Sequence, residues 1–179
     1  SETLVVGISA TALFDMSESD NMFKAGLEND PASVIDNYRR YMQEREDESL
    51  APGTGYHLVK ALLDLNQHMK SGDQSPLVEV VVMSRNSPDT GIRVLKTIRG
   101  DQLAITRSAF TGGESVADYM DAFDVDLFLT TNVEDAQKVI DSRQCAAAIP
   151  AGRWRPPAGP PPGQSRSPAH PWAALAPRV

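Results

Sequence analysis

Val78-Glu79-Val80-Val81-Val82-Met83, followed directly by Ser84-Arg85-Asn86, is the clearest strand signal in the chain. Its apolar residues are mostly β-branched, which is typical of a strand buried in a sheet. Shorter apolar runs are predicted to form four further strands, at residues 4–8, 103–106, 127–129 and 146–149.

Helical patterns lie between these runs. One helix is predicted from Asp30 as N-cap and Pro31 as first residue, with an apolar face formed by Val34, Ile35, Tyr38, Tyr41 and Met42. Others are predicted at residues 56–69, 90–99, 115–123 and 133–142. Strands that alternate with helices indicate an α/β fold, with helices on both faces of a mainly parallel five-stranded sheet.

The interval between the first two strands is too long for a simple crossover. It contains two predicted helices and the turn at Ala51-Pro52-Gly53. We therefore expect a small helical insertion at about residues 17–72 that partly covers the crevice, within one domain of residues 1–150.

Residues 151–179 differ in composition from the rest of the chain, with many prolines, four arginines and no acidic residue. The preferred interpretation is a disordered tail; a polyproline-type or basic contact arm and an aberrant end from a shifted frame or truncation are the alternatives. The chain's net charge of −7, less the four arginines, leaves −11 on residues 1–150.

This acidity argues against a nonspecific nucleic-acid binder, which needs a basic surface. The apolar runs are shorter than a membrane span, which needs about 20 residues, and no secretory signal is visible. Cys145 cannot form an internal disulfide, because it is the only cysteine, and this fits a reducing compartment. We expect a cytoplasmic protein without a membrane or nucleic-acid partner.

Four of the predicted strands lead into small or polar residues, and ligands of parallel sheets bind outside the carboxyl ends of the strands. The candidate phosphate- or nucleotide-binding residues are Ser9, Thr11, Ser84, Arg85, Asn86, Thr111, Gly112 and Gly113. Hydroxyl, amide and guanidinium groups, together with backbone N–H groups at glycines, can hold an anion.

Each of these stretches also has a purely local interpretation. Ser9, Thr11 and the 84–87 loop can cap helices, and Gly112-Gly113 can form a tight turn. Residues 130–132, Thr-Thr-Asn, form either a wall of the ligand site or an N-cap, which is favoured.

No catalytic or metal-binding set is identified in the sequence. Asp15, Glu18 and Asp20 are interpreted as a solvated acidic loop rather than metal ligands, and His57 and His68 lack a metal-ligand spacing. Cys145 has no nearby histidine in the sequence to activate its thiol.

Several stretches together resemble the cytosolic 5′-nucleotidase type I family: residues 4–14, 52–53, 58–62, 81–86, 91–94 and 110–113. The resemblance covers about residues 3–149 and corresponds to the earlier half of an internally duplicated protein. It implies a Rossmannoid, haloacid-dehalogenase-like three-layer sandwich. For the complete family protein it implies magnesium-dependent hydrolysis of nucleoside 5′-monophosphates.

The resemblance also implies substitutions in the catalytic set. Ser9 and Thr11 stand where the family has its nucleophilic and acid/base aspartates, Ser115 lies near the expected lysine, and Thr130-Thr131 replace the acidic pair. Ser84 keeps the hydroxyl that grips phosphate. The Mg²⁺ ligands are therefore not identifiable in this chain.

Three hypotheses remain at this point. The first is a 5′-nucleotidase domain that works with a missing catalytic half or through an unrecognised site. The second is a noncatalytic module that binds a nucleoside monophosphate or phosphate, or that supports the catalytic half through an interface. The third is a fragment without an independent role. Self-association into a homo-oligomer is a further expectation, since the basic tail could contact the acidic body.

Overall fold

The computed structural model describes residues 3–70, 72 and 75–150. Five parallel strands form the central sheet in the order β5-β4-β1-β6-β7: β1 Leu4–Ser9, β4 Val78–Ser84, β5 Arg107–Phe110, β6 Leu127–Leu129 and β7 Ala146–Ala148. Two short strands, β2 Phe14–Asp15 and β3 Ala51–Pro52, pair antiparallel outside this sheet.

Six α-helices lie among the described residues: α1 Ala10–Leu13, α2 Ser17–Asn29, α3 Val34–Glu44, α4 Tyr56–Asp64, α5 Ile92–Gly100 and α6 Val133–Ser142. Among the described residues, one 3-10 turn, Leu65–His68, follows α4, and two more, Val116–Tyr119 and Asp121–Phe123, precede β6. No helix in the described part of the chain combines the length and hydropathy that crossing a membrane requires.

The alternation of side chains along the strands produces two apolar cores. Val80 and Val82 of β4 face one core, which also contains side chains of α4 and α5. Val81 and Met83 face the other core, where Val139 of α6 packs. The fold is therefore an α/β sandwich of three layers with an all-parallel five-stranded sheet, as the sequence predicts.

The predicted strand at residues 103–106 is wrong in position. The sequence places it at residues 103–106, but β5 is Arg107–Phe110 and pairs with residues 81–84 of β4. Leu103 and Ile105 instead pack from the preceding loop against the first core. Arg107 joins the strand because Glu79 on β4 accepts hydrogen bonds from its guanidinium at 2.6 and 3.2 Å.

The predicted helix at residues 115–123 is two 3-10 turns in the structure. Met120 N donates to the Ala117 carbonyl at 3.4 Å and Asp124 N to Asp121 at 3.1 Å, so both bonds span three residues. Asp124 then adopts a left-handed conformation, with φ of 54°, and ends the helical stretch.

The sequence misses α2. Glu18 and Asp20, predicted in an acidic loop, lie in its first turn, and Asp15 accepts a hydrogen bond from Ser17 N at 3.0 Å. Acidic side chains suit this position because a helix N-terminus carries partial positive charge. The backbone N–H of Asp30 donates to the Gly26 carbonyl, so Asp30 belongs to the end of α2. The predicted Asp30 cap of the next helix is therefore wrong, and α3 begins at Val34.

Between β2 and β4 the chain therefore forms α2, α3, β3 and α4, one helix more than the sequence predicts there. The predicted helix at residues 56–69 is divided into α4 and the 3-10 turn Leu65–His68. Residues 151–179, and with them the predicted tail, lie outside the described residues.

Candidate functional site

A cleft of about 660 Å³ opens at the carboxyl ends of β1, β4 and β6. Residues that follow these three strands form much of its wall, and side chains from α2 and from the start of α6 complete it. Its polar lining residues are Ser9, Thr11, Asp20, Lys24, Ser84, Arg85, Asn86, Thr130, Thr131, Asn132, Glu134 and Asp135. The position is the usual ligand site of a parallel α/β sheet.

Three hydroxyl groups are connected at the ends of β1 and β6. Ser9 Oγ lies 3.2 Å from Thr11 Oγ1, which lies 2.7 Å from Thr131 Oγ1. Ser9 Oγ also accepts a hydrogen bond from Ala12 N at 3.2 Å, so Ser9 is the N-cap of α1. The two contacts use two of the three hydroxyl hydrogens, and the third can donate to an anion in the cleft.

Ser84, the last residue of β4, is buried beside the cleft. Its Oγ accepts a hydrogen bond from Asn86 N at 3.2 Å. Because a hydroxyl can accept and donate at the same time, this bond leaves the Ser84 hydrogen free to donate to a ligand oxygen.

Arg85 forms an ion pair with Asp135 in the first turn of α6, through Nη2 and Oδ1. The Arg85 side chain is 37% exposed and that of Asp135 is 9% exposed, so the carboxylate is the more buried partner. Arg85 directly follows Ser84 in the sequence and is the cation closest to it along the chain. An anionic ligand at Ser84 must therefore compete with Asp135 for the Arg85 guanidinium.

The cleft carries charges of both signs. Lys24 and Arg85 are its cations, and Asp20, Glu134 and Asp135 supply carboxylates. Burial raises the pKa of Asp20, an effect that the neighbouring Lys24 opposes. The field of the cleft is thus not strongly positive, and the hydroxyl donors matter for holding an anion.

The predicted glycine loop uses its backbone amides within the protein. Thr111 N donates to the Ser84 carbonyl at 2.9 Å, Gly112 N to Asn86 at 3.1 Å and Gly113 N to Arg85 at 2.7 Å. These bonds fix the 84–86 loop instead of facing a ligand. The Thr111 hydroxyl is turned to the Glu114 carbonyl, at 2.8 Å.

The structure thus brings five of the eight predicted site residues to one cleft: Ser9, Thr11, Ser84, Arg85 and Asn86. Gly112 and Gly113 line an adjoining chamber, which Arg85 and Asn86 also line, and Thr111 lines neither of these two cavities. The local interpretations of Ser9 and Asn132 are confirmed, because each caps a helix through its side chain.

Sequence reasoning did not identify the contributions of Asp20, Phe23 and Lys24 from α2, or that of Asp135. The acidic residues in the first turn of α2 are a signal for a helix start, whereas Phe23 and Lys24 carry no such signal. Cys145, His57 and His68 do not line the cleft. Burial raises the pKa of the Cys145 thiol, which disfavours the reactive thiolate.

The residues of the cleft do not fit a magnesium site. Magnesium prefers anionic oxygen ligands, whereas the ends of β1 and β6 present neutral hydroxyls. The Asp135 carboxylate is engaged by Arg85. Across residues 3–70, 72 and 75–150, no group of three histidine, cysteine or acidic side chains is placed to hold a metal ion.

Comparison with known proteins identifies the family. The sequence model of the 5′-nucleotidase family matches residues 1–157. Human cytosolic 5′-nucleotidase 1B is 26% identical over 149 residues, which cover 82% of this chain and 23% of the human protein. The chain therefore spans less than a quarter of that relative's length, and no solved structure matches it significantly. Since the family match covers most of its residues, the chain belongs to the 5′-nucleotidase family.

Proposed function

We propose that this chain binds the phosphate group of a nucleoside 5′-monophosphate in the cleft without hydrolysing it alone. Family membership supports nucleotide hydrolysis as the reaction of the family. The observation that carries the proposal is the Ser9-Thr11-Thr131 hydroxyl network at the ends of β1 and β6. It occupies the place where the ligand of such a sheet meets the protein.

The hydroxyl network supports binding better than cleavage. Phosphoryl transfer to the protein needs an activated nucleophile, and hydroxyls become nucleophilic only with an adjacent base. The contacts of Ser9 and Thr11 in this network are to other hydroxyls and to a backbone amide, none of which is a base. The free hydroxyl hydrogens of this network and of Ser84 are suited to donating to phosphate oxygens.

The proposal extends to the partner of this chain. The relative named cytosolic 5′-nucleotidase 1B is more than four times as long as the matched region, so a separate catalytic segment can supply the carboxylates that are missing at the ends of β1 and β6. In that arrangement magnesium would be bound by the partner's residues. A cytoplasmic location is supported by the name of the same relative.

The test is calorimetric titration of the chain with inorganic phosphate and with AMP, each with and without Mg²⁺, while phosphate release is followed in the AMP samples. We expect saturable binding of both ligands, no release of phosphate and little effect of Mg²⁺. Release that persists in repurified protein would show that the chain is an enzyme by itself. Absence of binding would refute the proposal.

Ser84→Ala is the variant that tests whether the Ser84 hydroxyl binds phosphate. Loss of one hydrogen bond to a charged ligand weakens binding by about 1.5–3 kcal/mol, or roughly 10- to 150-fold. Ser108→Ala is the control, because Ser108 is an exposed serine on the neighbouring strand β5 and does not line the cleft. Equal phosphate affinities of the two variants would remove Ser84 from the site.

A further inference from the structure

The first core is incompletely covered at one edge of the sheet. Leu127 and Leu129 of β6 point to this core. Their register partners on β7 are Ala146 and Ala148, which point to the same side of the sheet. Leu129 is buried, but both alanines are exposed, since α6 packs against β7 from the side of the second core. On the first-core side, this edge of the sheet therefore presents apolar side chains to solvent.

Leucines of α4 extend this apolar surface. Leu58, Leu62 and Leu65 follow one another at intervals of four and three residues, which places them along one flank of the helix and of the 3-10 turn that continues it. Leu58 and Leu65 are each 46% exposed, and Leu62 is half-buried against the first core. An exposed apolar stripe of this kind is typical of an interaction surface.

Two contacts show which way the leucine flank of α4 faces. Tyr56, on the opposite flank, donates a hydrogen bond at 2.9 Å to Asp101, which follows α5. Gly55, the N-cap, lies on the leucine flank, and a Cβ atom added there would be 2.9 Å from Ile8 Cδ1 and 3.5 Å from Pro150 Cγ. Since Pro150 comes two residues after β7, the leucines face the β7 side. We call this surface the α4–β7 face, formed by Leu58, Leu62, Leu65, Leu127, Ala146 and Ala148.

The chain leaves the described part of the structure beside the α4–β7 face. Pro150 is the last described residue, and residues 151–179 follow it. Trp154 comes four residues after Pro150, and four extended residues span up to about 13–14 Å. This reach exceeds the diameter of a helix, about 10–12 Å. The Trp154 side chain can therefore reach the leucines of α4 from the position of Pro150.

The composition of residues 151–179 suits this surface. Both tryptophans of the chain, Trp154 and Trp172, lie in this segment, and an indole ring offers a large apolar area. Pro156 and Pro157 restrict the backbone next to Trp154, which lowers the entropy lost on docking. The segment has four arginines and no acidic residue, whereas the rest of the chain is strongly acidic, so the two parts attract each other.

We propose that Trp154 docks on the α4–β7 face of its own chain. The indole packs on Leu58 and Leu62 and shields this edge of the first core from water. The residues after β7 then act as a contact arm, one of the alternatives that the sequence leaves open. The inference does not depend on phosphate binding, because no residue of the α4–β7 face lines the cleft.

Tryptophan fluorescence tests the proposal, since both tryptophans lie in residues 151–179. In the full-length Trp172→Phe variant, Trp154 is the only tryptophan. We expect its emission at a shorter wavelength than in urea, and its quenching by acrylamide to be several-fold weaker. Emission and quenching equal to those of the unfolded chain would overturn the proposal. Loss of the shielding on about a hundredfold dilution would also overturn it, because the α4–β7 face would then bind Trp154 of a second copy.

Leu58→Glu, made together with Trp172→Phe, tests the place of docking. A carboxylate under the ring would have to lose its water, so Trp154 should emit at longer wavelength and be quenched as in the unfolded chain. Leu27→Glu is the control, because Leu27 lies on α2 outside the α4–β7 face and is 48% exposed, close to the value for Leu58. Circular dichroism establishes that both variants fold. If both variants expose Trp154 equally, or if Leu58→Glu leaves it shielded, the proposal is wrong.

Leu65→Glu gives a second readout if Leu58→Glu does not fold. Leu65 is as exposed as Leu58 and lies beyond the end of α4, so its replacement is expected to cost little stability. We expect Trp154 to become accessible to acrylamide in this variant as well. Unchanged shielding of Trp154 in folded Leu65→Glu would overturn the proposal.

Discussion

Gly53→Ala should destabilise the protein and weaken phosphate binding together. Gly53 follows β3, and its N–H donates to the Leu13 carbonyl of α1 at 2.9 Å. A Cβ atom added here would lie 2.6 Å from the Ala12 carbonyl oxygen and 2.9 Å from Phe14 N and C. Ordinary contacts begin at 3.4 Å, so the backbone of α1 must move by about 0.8 Å relative to Gly53.

The magnitude follows from this displacement. Overpacking against rigid atoms costs about 1–3 kcal/mol, and the shift also weakens the hydrogen bonds that Gly53 N and Gly55 N make to α1, about 1 kcal/mol each. We expect the free energy of unfolding to fall by roughly 2–4 kcal/mol and Tm by about 6–12 °C. Because Ser9 and Thr11 flank the start of the displaced helix, phosphate affinity should fall as well.

The assay is urea unfolding followed by circular dichroism, with calorimetric phosphate titration of the folded variant. Gly100→Ala is the matched control, since a Cβ atom there meets nothing within 4 Å and Gly100 is the last residue of α5. It should be neutral or stabilising by up to about 1 kcal/mol. If Gly53→Ala is as stable as Gly100→Ala, the close approach of α1 to Gly53 is refuted.

Two further predictions concern charged residues of the cleft. Asp135→Asn should increase phosphate affinity about three- to tenfold, because it removes the carboxylate that competes for Arg85. Phosphate titration at low and high salt checks this. A lower phosphate affinity would show that Asp135 positions Arg85 for the ligand. Burial raises the pKa of Asp20, so its charged form is less stable in the folded protein than in the unfolded chain. Asp20→Asn should therefore stabilise the protein at neutral pH. This gain in stability shrinks as the pH falls through the folded pKa of Asp20 and is absent below its unfolded pKa. Urea unfolding at pH 7 and pH 3 measures the gain, and a less stable variant at pH 7 would contradict the prediction.

The strands that carry the site were predictable because their signals are local. The predicted strand at residues 127–129 and the predicted helix at 133–142 have the observed bounds, and β4 extends the predicted run by one residue. The sequence misplaces β5 because Arg107 is charged, and its partners, Glu79 on β4 and the Phe123 carbonyl, lie far from it in the sequence. The sequence misses α2 because its polar residues show little apolar periodicity, and in the structure α2 packs against α3.

The amino-acid sequence by itself determined the α/β class, the family and the polar residues that follow each strand. These properties depend on neighbouring residues, since a strand ends where its apolar run ends. Tertiary structure alone decided which of these residues meet. Thr11 contacts Thr131 across 120 positions, and Arg85 pairs with Asp135 across 50, because the sheet places β4, β1 and β6 side by side. Strand order depends on contacts between distant segments, which no local pattern encodes, and it brings separate loops together into one cleft lined with hydroxyl groups.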